Sequence, residues 1–148
     1  MTSPVTKNAT RPRPTPFEWD AEFWGAAAER RLVVQACRAC GLVRSFPRIM
    51  CSHCGSLEFT WLEASGTGTV YSWTVLRRQF HPGFGDLPLV VCIIQLDDHP
   101  GVRLIANLLG DDEAVDGVPV GLAIGAAVAV EFEDLGDIVL PQFRLVST

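Results

Sequence analysis

The sequence lacks a hydrophobic segment long enough to cross a membrane. Its longest weakly polar run covers residues 117–130, and Pro119, Gly121 and Gly125 interrupt that run. A membrane-spanning helix needs about 20 consecutive apolar residues. The N-terminus, MTSPVTKNATRPRPTP, carries basic charge but no apolar segment after it, so we expect no signal peptide. These absences predict a cytoplasmic protein without a membrane partner.

Residues that commonly perform catalysis are also scarce. The chain has three histidines and one tyrosine, and both His81 and His99 precede proline in predicted loops. No serine or cysteine lies in a nucleophile elbow. The glycines of Gly66-Thr67-Gly68 open a predicted strand rather than a helix, so they do not form a phosphate-binding fingerprint. Cys92 lies between Val91 and Ile93 and is expected in the core. We therefore expect no enzymatic activity from the chain alone.

One loop, residues 79–87, contains a pair with acid–base chemistry. His81 and Asp86 could act together, which leaves a free-standing hydrolase as a hypothesis. The favoured interpretation is that this loop is a contact surface for a partner, because it is rich in aromatic residues and proline. The predicted contact residues are Phe80, His81, Pro82 and Phe84.

Charge is distributed unevenly between the two halves of the chain. Residues 1–74 hold eight basic and six acidic side chains, whereas residues 75–148 hold four basic and eleven acidic side chains. Proteins bind nucleic acids largely by neutralising phosphates, so the acidic half disfavours that function. Eleven of the twelve basic residues are arginine, which binds phosphate and carboxylate in a bidentate manner.

Four of the five cysteines form two closely spaced pairs. Cys37 and Cys40 are separated by two residues, as are Cys51 and Cys54, and a glycine follows each pair. Two intervening residues let both sulfurs of a pair reach one ion, and four thiolates leave no coordination position for water. The sequence therefore predicts a structural zinc site. The alternatives are a rubredoxin-type iron centre and a redox dithiol, and His53 is expected to be an exposed bystander.

Five arginines lie near the cysteines or at the end of the first predicted barrel strand. The sequence leaves three interpretations open: a solvated face that balances the charge of the metal site, capture of phosphate, or docking on an acidic partner. The candidate contacts to a phosphate group or to a partner are Arg38, Arg44, Arg48, Arg77 and Arg78.

The pattern along the chain predicts a mainly β protein. Residues 1–14 are expected to be a flexible tail. Residues 15–31 are expected to form a helix, because Thr15-Pro16-Phe17-Glu18 has the pattern of a capping box. Residues 32–60 would form the zinc ribbon and residues 61–148 a five-stranded Greek-key barrel of the OB type. The five barrel strands are predicted at residues 67–77, 87–96, 102–109, 126–132 and 138–143.

Taken in order, these motifs resemble a known family that joins a rubredoxin-like zinc ribbon to an OB fold. The resemblance covers residues 17–146. The motifs that carry it are a lead helix, Leu32-Val33-Val34-Gln35-x-Cys37-x-x-Cys40-Gly41, Phe46-Pro47-Arg48-x-x-Cys51-x-x-Cys54, Gly66-x-Gly68-x-Val70-Tyr71-Ser72-Trp73-Thr74-Val75, Leu87-Pro88-Leu89-Val90-Val91, the stretch from Val118 to Val130, and Leu140-Pro141-Gln142-Phe143.

The resemblance implies a function for the chain. Members of this family are accessory subunits or appended domains of enzymes that act on thioesters of coenzyme A (CoA). Their partners are typically thiolase-fold thiolases, acyltransferases and retro-aldolases, and some members attach to hotdog-fold hydratases. The resemblance makes the five candidate arginines possible contacts to the phosphates of CoA. It implies structural zinc and a role in completing the acyl-CoA site of a partner, and the likeness is closest to the partners of steroid side-chain aldolases. Symmetry predicts two copies on a dimeric partner. The alternative is a nucleic-acid-binding module in which Tyr71 and Trp73 stack on bases.

Overall fold

The computed structural model describes residues 11–84, 87–110 and 113–147, which form one helix and ten strands. The elements are α1 (Ala21–Ala28), β1 (Leu32–Cys37), β2 (Val43–Arg44), β3 (Phe59–Ala64), β4 (Thr67–Leu76), a 3-10 turn (Pro82–Phe84), β5 (Leu89–Leu96), β6 (Arg103–Leu109), β7 (Ala114–Val115), β8 (Val118–Pro119), β9 (Ala127–Asp134) and β10 (Val139–Leu145). No helix in these three ranges is long and apolar enough to span a membrane.

Helix α1 is shorter at both ends than the predicted helix over residues 15–31. The capping box does not start it, because the Asp20 carboxylate accepts a hydrogen bond from the Phe17 amide (2.6 Å) and closes a turn before the first helical residue. At the other end Arg30 has a φ of +61°, and the Arg31 amide donates to the carbonyl of Ala26. This left-handed residue ends the helix.

A three-stranded antiparallel sheet, which we call the ribbon sheet, has the order β2-β1-β3. All six residues of β1 are buried, and β1 pairs with β3 from Leu32 opposite Ala64 to Cys37 opposite Phe59. Strand β3 therefore crosses the boundary predicted between residues 60 and 61. Burial of β1 on both faces makes it the structural centre of the N-terminal half.

The remaining long strands close a barrel in the order β10-β6-β5-β4-β9. Four of the five contacts are antiparallel, and among the described strands β6 and β10 form the parallel one. The chain leaves β6, forms β9 beside β4, and returns as β10 between β9 and β6. This is the connectivity of a Greek-key barrel, and it confirms the predicted five-stranded OB fold. The predicted acidic loop before β9 contains the small hairpin of β7 and β8.

Alternation along the strands builds the barrel core. In β5 every second residue is buried, so this almost wholly apolar strand is one wall of the barrel. Ile94, Val70, Val128 and Phe143 are at most 1% exposed and meet inside. The pairing of β4 with β5 shifts register between Val70 and Ser72, and the extra residue, Tyr71, faces outward.

The barrel has a weak edge where β6 and β10 meet. Their pairing includes only Phe143 with Leu108 and Arg144 with Leu109 among the described residues. Next to this edge, a groove of about 250 Å³ lies between the barrel and the N-terminal half. We call it the junction groove. Its walls come from the helix and ribbon (Phe23, Trp24, Phe46) and from the barrel (Phe84, Val91, Leu104, Ile105, Ala106, Asn107, Leu140, Pro141, Gln142).

The segment Arg11–Pro14, which we call the strap, lies across this groove. Arg11 bonds to Glu133 (2.7 Å) and Arg13 bonds to Asp137 (2.8 Å). These contacts hold residues 11–14, the described part of the tail predicted over residues 1–14, against the barrel, and residues 1–10 lie outside the described residues.

The close approach of β4 and β5 leads to a test at Gly68. A Cβ added there would lie 2.5 Å from the backbone oxygen of Gln95, which cannot move without disturbing the barrel. We expect Gly68→Ala to lower the free energy of unfolding by about 1–3 kcal/mol. Gly25→Ala is the matched control, because Gly25 is an exposed helical residue with open space around it and alanine should stabilise it by about 0.5–1 kcal/mol. Urea unfolding measures the change in the free energy of unfolding for both variants. Equal changes would contradict the close approach of β4 and β5 at Gly68.

Candidate functional site

Two turns of the same shape present the four cysteines. In each turn the glycine amide bonds to the carbonyl of the first cysteine, from Gly41 to Cys37 and from Gly55 to Cys51, both at 2.9 Å. Both glycines have left-handed backbones, with φ values of +77° and +76°. Only glycine adopts this conformation without strain, and it turns the chain so that both sulfurs of a pair face the same side.

The four sulfur atoms lie close enough together to bind one tetrahedral zinc ion. The Sγ atoms of Cys37 and Cys54 are 3.6 Å apart, as are those of Cys40 and Cys51, and all four lie within 4.8 Å of one another. Zinc–sulfur bonds of about 2.3 Å in a tetrahedron place the sulfurs about 3.8 Å apart. The cluster therefore fits zinc, and the prediction of a structural zinc cofactor is confirmed.

Backbone amides prepare the first cysteine of each pair to be a thiolate. Hydrogen bonds from the amides of Cys40 and Ala39 lower the pKa of Cys37 to about 6, and those of Cys54 and His53 lower the pKa of Cys51. The Leu42 amide also lowers the pKa of Cys40, but burial and the neighbouring thiols outweigh it and raise this pKa to about 12. Zinc binds thiolates, so binding must displace the proton from Cys40.

His53 and Cys92 are not members of the cysteine cluster. His53 is exposed, as expected of a bystander. Cys92 is 1% exposed on the inner face of β5, which confirms it as a core residue, and burial raises the pKa of its thiol to about 11. A thiol in such a site is unreactive, because the thiolate is the nucleophile.

The five candidate arginines do not form one surface. Arg38, Arg48, Arg77 and Arg78 are exposed, and Arg77 donates a hydrogen bond to the carbonyl of Asp116 (2.8 Å) in the β7–β8 hairpin. Arg44 is buried, with 8% of its surface exposed. A phosphate in solvent cannot reach a guanidinium in this position, so the prediction of Arg44 as a CoA-phosphate contact is corrected.

Arg44 instead has a role within the ribbon. Its Nε donates to Oε1 of the fully buried Gln35 (2.6 Å), which also accepts a hydrogen bond from the Arg48 amide. The pairing of β1 with β2 places Gln35 opposite Arg44. Gln35 lies two residues before a zinc ligand, and zinc with four thiolates carries a formal charge of −2. A buried arginine nearby therefore offsets part of that charge.

The predicted partner loop, residues Phe80–Phe84, is a compact turn. Its amides bond within the loop, from Phe84 to the carbonyl of His81 (3.1 Å) and from Gly83 to Nδ1 of His81 (3.0 Å). Phe80 is 79% exposed, the most exposed large apolar residue among those described. Asp86, the second member of the hypothetical catalytic pair, lies outside the described residues. The imidazole of His81 therefore shapes this loop, and Phe80 faces solvent.

The aromatic residues suggested for base stacking are not arranged as a platform. Trp73 packs against the core cluster. Tyr71 is 46% exposed, but the Cζ of Arg103 lies 3.7 Å from the centroid of its ring and covers one face. Stacked bases need free ring faces, so this arrangement does not favour nucleic-acid binding.

The sequence did not reveal two groups of surface residues. One is an apolar patch at the zinc end of the ribbon, where Phe17 stacks on Trp19 (4.7 Å between centroids) beside exposed Ile49 and Leu57. Apolar residues in the loop between the cysteine pairs were the available signal. The other is a polar network on the barrel, formed by Arg11, Asn107, Glu133 and Gln142. No local pattern relates residues so distant in sequence.

Loss of one zinc ligand tests the metal centre. We expect Cys40→Ala to lose zinc and unfold the ribbon, because binding at such sites supplies on the order of 10–16 kcal/mol. Zinc content by mass spectrometry and thermal melting by circular dichroism measure the effect. Cys92→Ala is the control and should keep one zinc per chain. Full zinc content and an unchanged melting curve in Cys40→Ala would contradict a structural zinc site.

The buried position of Arg44 generates a second test. Arg44→Ala removes a charged hydrogen bond and leaves the Arg48 amide as the remaining donor to Oε1 of Gln35. We therefore expect the free energy of unfolding to fall by about 1.5–3 kcal/mol, the contribution of a hydrogen bond to a charged group. Arg38→Ala, at an exposed arginine of the same ribbon, should change it by less than about 0.5 kcal/mol. Denaturant unfolding of the zinc-loaded chain compares the two variants. Equal values would contradict an internal role for Arg44.

Comparison with known proteins agrees with this geometry. The profile of a family described as "ChsH2, rubredoxin-like zinc ribbon domain" matches residues 24–60, and that of "ChsH2, C-terminal OB-fold domain" matches residues 61–133. A protein of Thermomonospora curvata called "Probable enoyl-CoA hydratase alpha subunit" is 40% identical over 138 residues, which are 92% of this chain. The chain spans 40% of the length of that relative.

Two solved structures share the fold. A chain of the structure titled "Ltp2-ChsH2(DUF35) aldolase" is 37% identical, with a TM-score of 0.74, and the match covers 90% of this chain and 98% of that one. A DUF35 protein of unknown function from Sulfolobus solfataricus is 14% identical, with a TM-score of 0.56 and coverage of 84% and 83%. By its two profile matches and its likeness to the aldolase chain, this protein belongs to the ChsH2 family, in which a rubredoxin-like zinc ribbon precedes an OB-fold domain.

Proposed function

We propose that this chain is a non-catalytic accessory subunit that binds a thiolase-fold partner and completes its acyl-CoA site. The partner would be a retro-aldolase or thiolase that shortens steroid or other acyl-CoA side chains. The observation that carries the proposal is the likeness to a chain of the Ltp2-ChsH2 aldolase structure, 98% of which this chain matches. A match over nearly a whole chain supports an equivalent place in a complex.

The chemistry of the described residues supports a binding role. The zinc site uses all four coordination positions for protein sulfur, so it supplies no activated water. The most exposed aromatic residue, Phe80, lies close in sequence to the exposed Arg77 and Arg78. An aromatic anchor beside arginines is a common composition for a protein–protein interface. We therefore assign the partner loop to the interface, with two copies of the chain on a dimeric partner.

Contact with the CoA moiety is the finer part of the proposal. CoA carries three phosphate groups, and exposed arginines bind phosphate through paired hydrogen bonds. Arg77 and Arg78 are the best placed for this, because they follow strand β4 and precede the partner loop. Arg38 and Arg48, at the zinc end, would contact the partner protein instead.

A hydratase partner is the second candidate. It is favoured by the relative from Thermomonospora curvata, whose name refers to an enoyl-CoA hydratase subunit. This chain matches 40% of that protein, so the remaining part of the relative is the region that could hold hydratase activity. Both candidates give the present chain the same role beside an acyl-CoA enzyme.

Affinity purification from the native host decides between these functions. The tagged chain is expected to co-purify with a stoichiometric acyl-CoA enzyme, and the complex is assayed for aldol cleavage, thiolysis and hydration of CoA thioesters. The isolated chain should have no turnover. Recovery of the chain alone, or with nucleic acid, would overturn the proposal.

Removal of the exposed anchor tests the interface. We expect Phe80→Ala to weaken association with the co-purified enzyme about five- to thirty-fold, as truncation of a central aromatic contact commonly does. Its melting temperature should stay unchanged, because the ring is 79% exposed. Ile124→Ala is the matched control, since Ile124 is 75% exposed but lies in the segment between β8 and β9. Isothermal titration calorimetry compares the variants, and equal affinities would exclude Phe80 from the interface.

A further inference from the structure

The strap joins the two halves of the molecule. Pro12 and Pro14 line the junction groove between aromatic residues of the helix and ribbon on one side and the barrel on the other. Arg11 is only partly accessible, with 14% of its side chain exposed, although it lies near the end of the described chain. A charged side chain is rarely covered to this extent without specific partners.

Arg11 completes a polar network at the weak edge of the barrel. Its Nη1 donates to Oε1 of Glu133 (2.7 Å), and its Nη2 lies 3.5 Å from Oδ1 of Asn107. Gln142 donates through Nε2 to Oε2 of Glu133 (3.0 Å) and accepts a hydrogen bond from the Asn107 amide (2.7 Å). Arg11 therefore connects strands β6, β9 and β10 where the pairing of β6 with β10 is short.

The same guanidinium also contacts the partner loop. The Cζ of Arg11 lies 5.5 Å from the centroid of the Phe84 ring, within the range of a cation–π interaction. Phe84 packs edge-on against His81 (6.0 Å between centroids), and His81 holds the loop by two hydrogen bonds. The hydrogen bonds of His81, Gly83 and Phe84 to described residues are internal to the loop. Arg11 thus links a self-contained turn to the barrel.

The geometry points to Arg11, the first residue of the strap, as a positioning residue that holds the partner loop in its docking conformation. This inference rests on the proposed function, because the loop matters only if it meets a partner. Phe80 extends from the loop into solvent, so its direction depends on how firmly the rest of the loop is held. The strap therefore acts on the partner through the loop, without contacting the partner itself.

Arg13 provides a matched control within the same strap. It bonds to Asp137 in the turn between β9 and β10, and Asp137 is 64% exposed. Arg13→Ala removes the same charge, one ion pair and the hydrogen bond from Nη1 of Arg13 to the Arg11 carbonyl (3.3 Å), but it removes no atom that contacts Phe84. A difference between Arg11→Ala and Arg13→Ala therefore reports the link to the loop and not the loss of a basic residue.

Hydrogen exchange of the chain without its partner is the first experiment. In Arg11→Ala we expect the amides of Gly83 and Phe84 to exchange about two- to five-fold faster, the factor that a solvent-accessible cation–π contact supports. Arg13→Ala should leave these rates unchanged. Equal rates in the two variants would overturn the link between the strap and the loop.

A double-mutant cycle keeps the test decisive if Arg11→Ala disturbs the barrel. Phe84→Leu removes the ring but keeps an apolar side chain, and it should raise loop exchange by a similar factor. The double variant should be no faster than Phe84→Leu alone, because Arg11 acts on the loop only through the Phe84 ring. Additive effects would show that Arg11 acts only through the barrel strands and would overturn the proposal.

The last measurement separates this inference from the proposed function. The probe is the enzyme that co-purifies with the tagged wild-type chain, and its affinity should fall for Arg11→Ala but not for Arg13→Ala. Unchanged affinity despite faster loop exchange would overturn the positioning role. If no enzyme co-purifies, the proposed function fails, and the exchange rates still decide whether Arg11 holds the loop.

Discussion

Four thiolates from two turns must meet at one ion, and the N-terminal half of the protein depends on that meeting. The first ligand, Cys37, is the last residue of β1, a strand with all six residues buried. Helix α1 and strand β3 both pack against this strand. The segment that carries the other ligands lies between β1 and β3 and contains one strand of two residues, β2, so the metal is its main cross-link. A module this small cannot bury enough apolar surface to stabilise itself. Zinc binding therefore determines whether β1 keeps its pairing with β2 and β3.

Local patterns in the sequence were sufficient for the zinc site and for the barrel strands. Cysteine spacing acts within a few residues, and the alternation that forms a barrel wall is visible in β5 itself. The helix start was mispredicted for a local reason too. The Asp20 carboxylate accepts a hydrogen bond from the Phe17 amide, and the resulting turn replaces the predicted capping box. The strap could not be predicted, since Arg11 and Glu133 are 122 positions apart. Such contacts follow only from the closed fold.

The arginines show the same limit at the candidate site. In the sequence Arg38, Arg44 and Arg48 are equivalent members of a basic cluster. The register of β1 with β2 separates them, because it places Arg44 opposite the buried Gln35 while the other two stay exposed. Strand register depends on the pairing of two segments, which composition does not reveal. The sequence predicts how many cations lie near the metal, and only the fold determines which of them a ligand can reach.

The distribution of structure is compatible with the proposed binding role of a protein whose metal site is closed. The zinc ribbon and the barrel meet at a groove where the described barrel strands have their shortest pairing. The junction is stabilised by side-chain contacts. These come from helix α1, from the strap and from the network around Glu133. The partner loop lies beside the same junction through Phe84. On the proposed function, contacts that hold the two halves together also set the conformation of the surface offered to a partner.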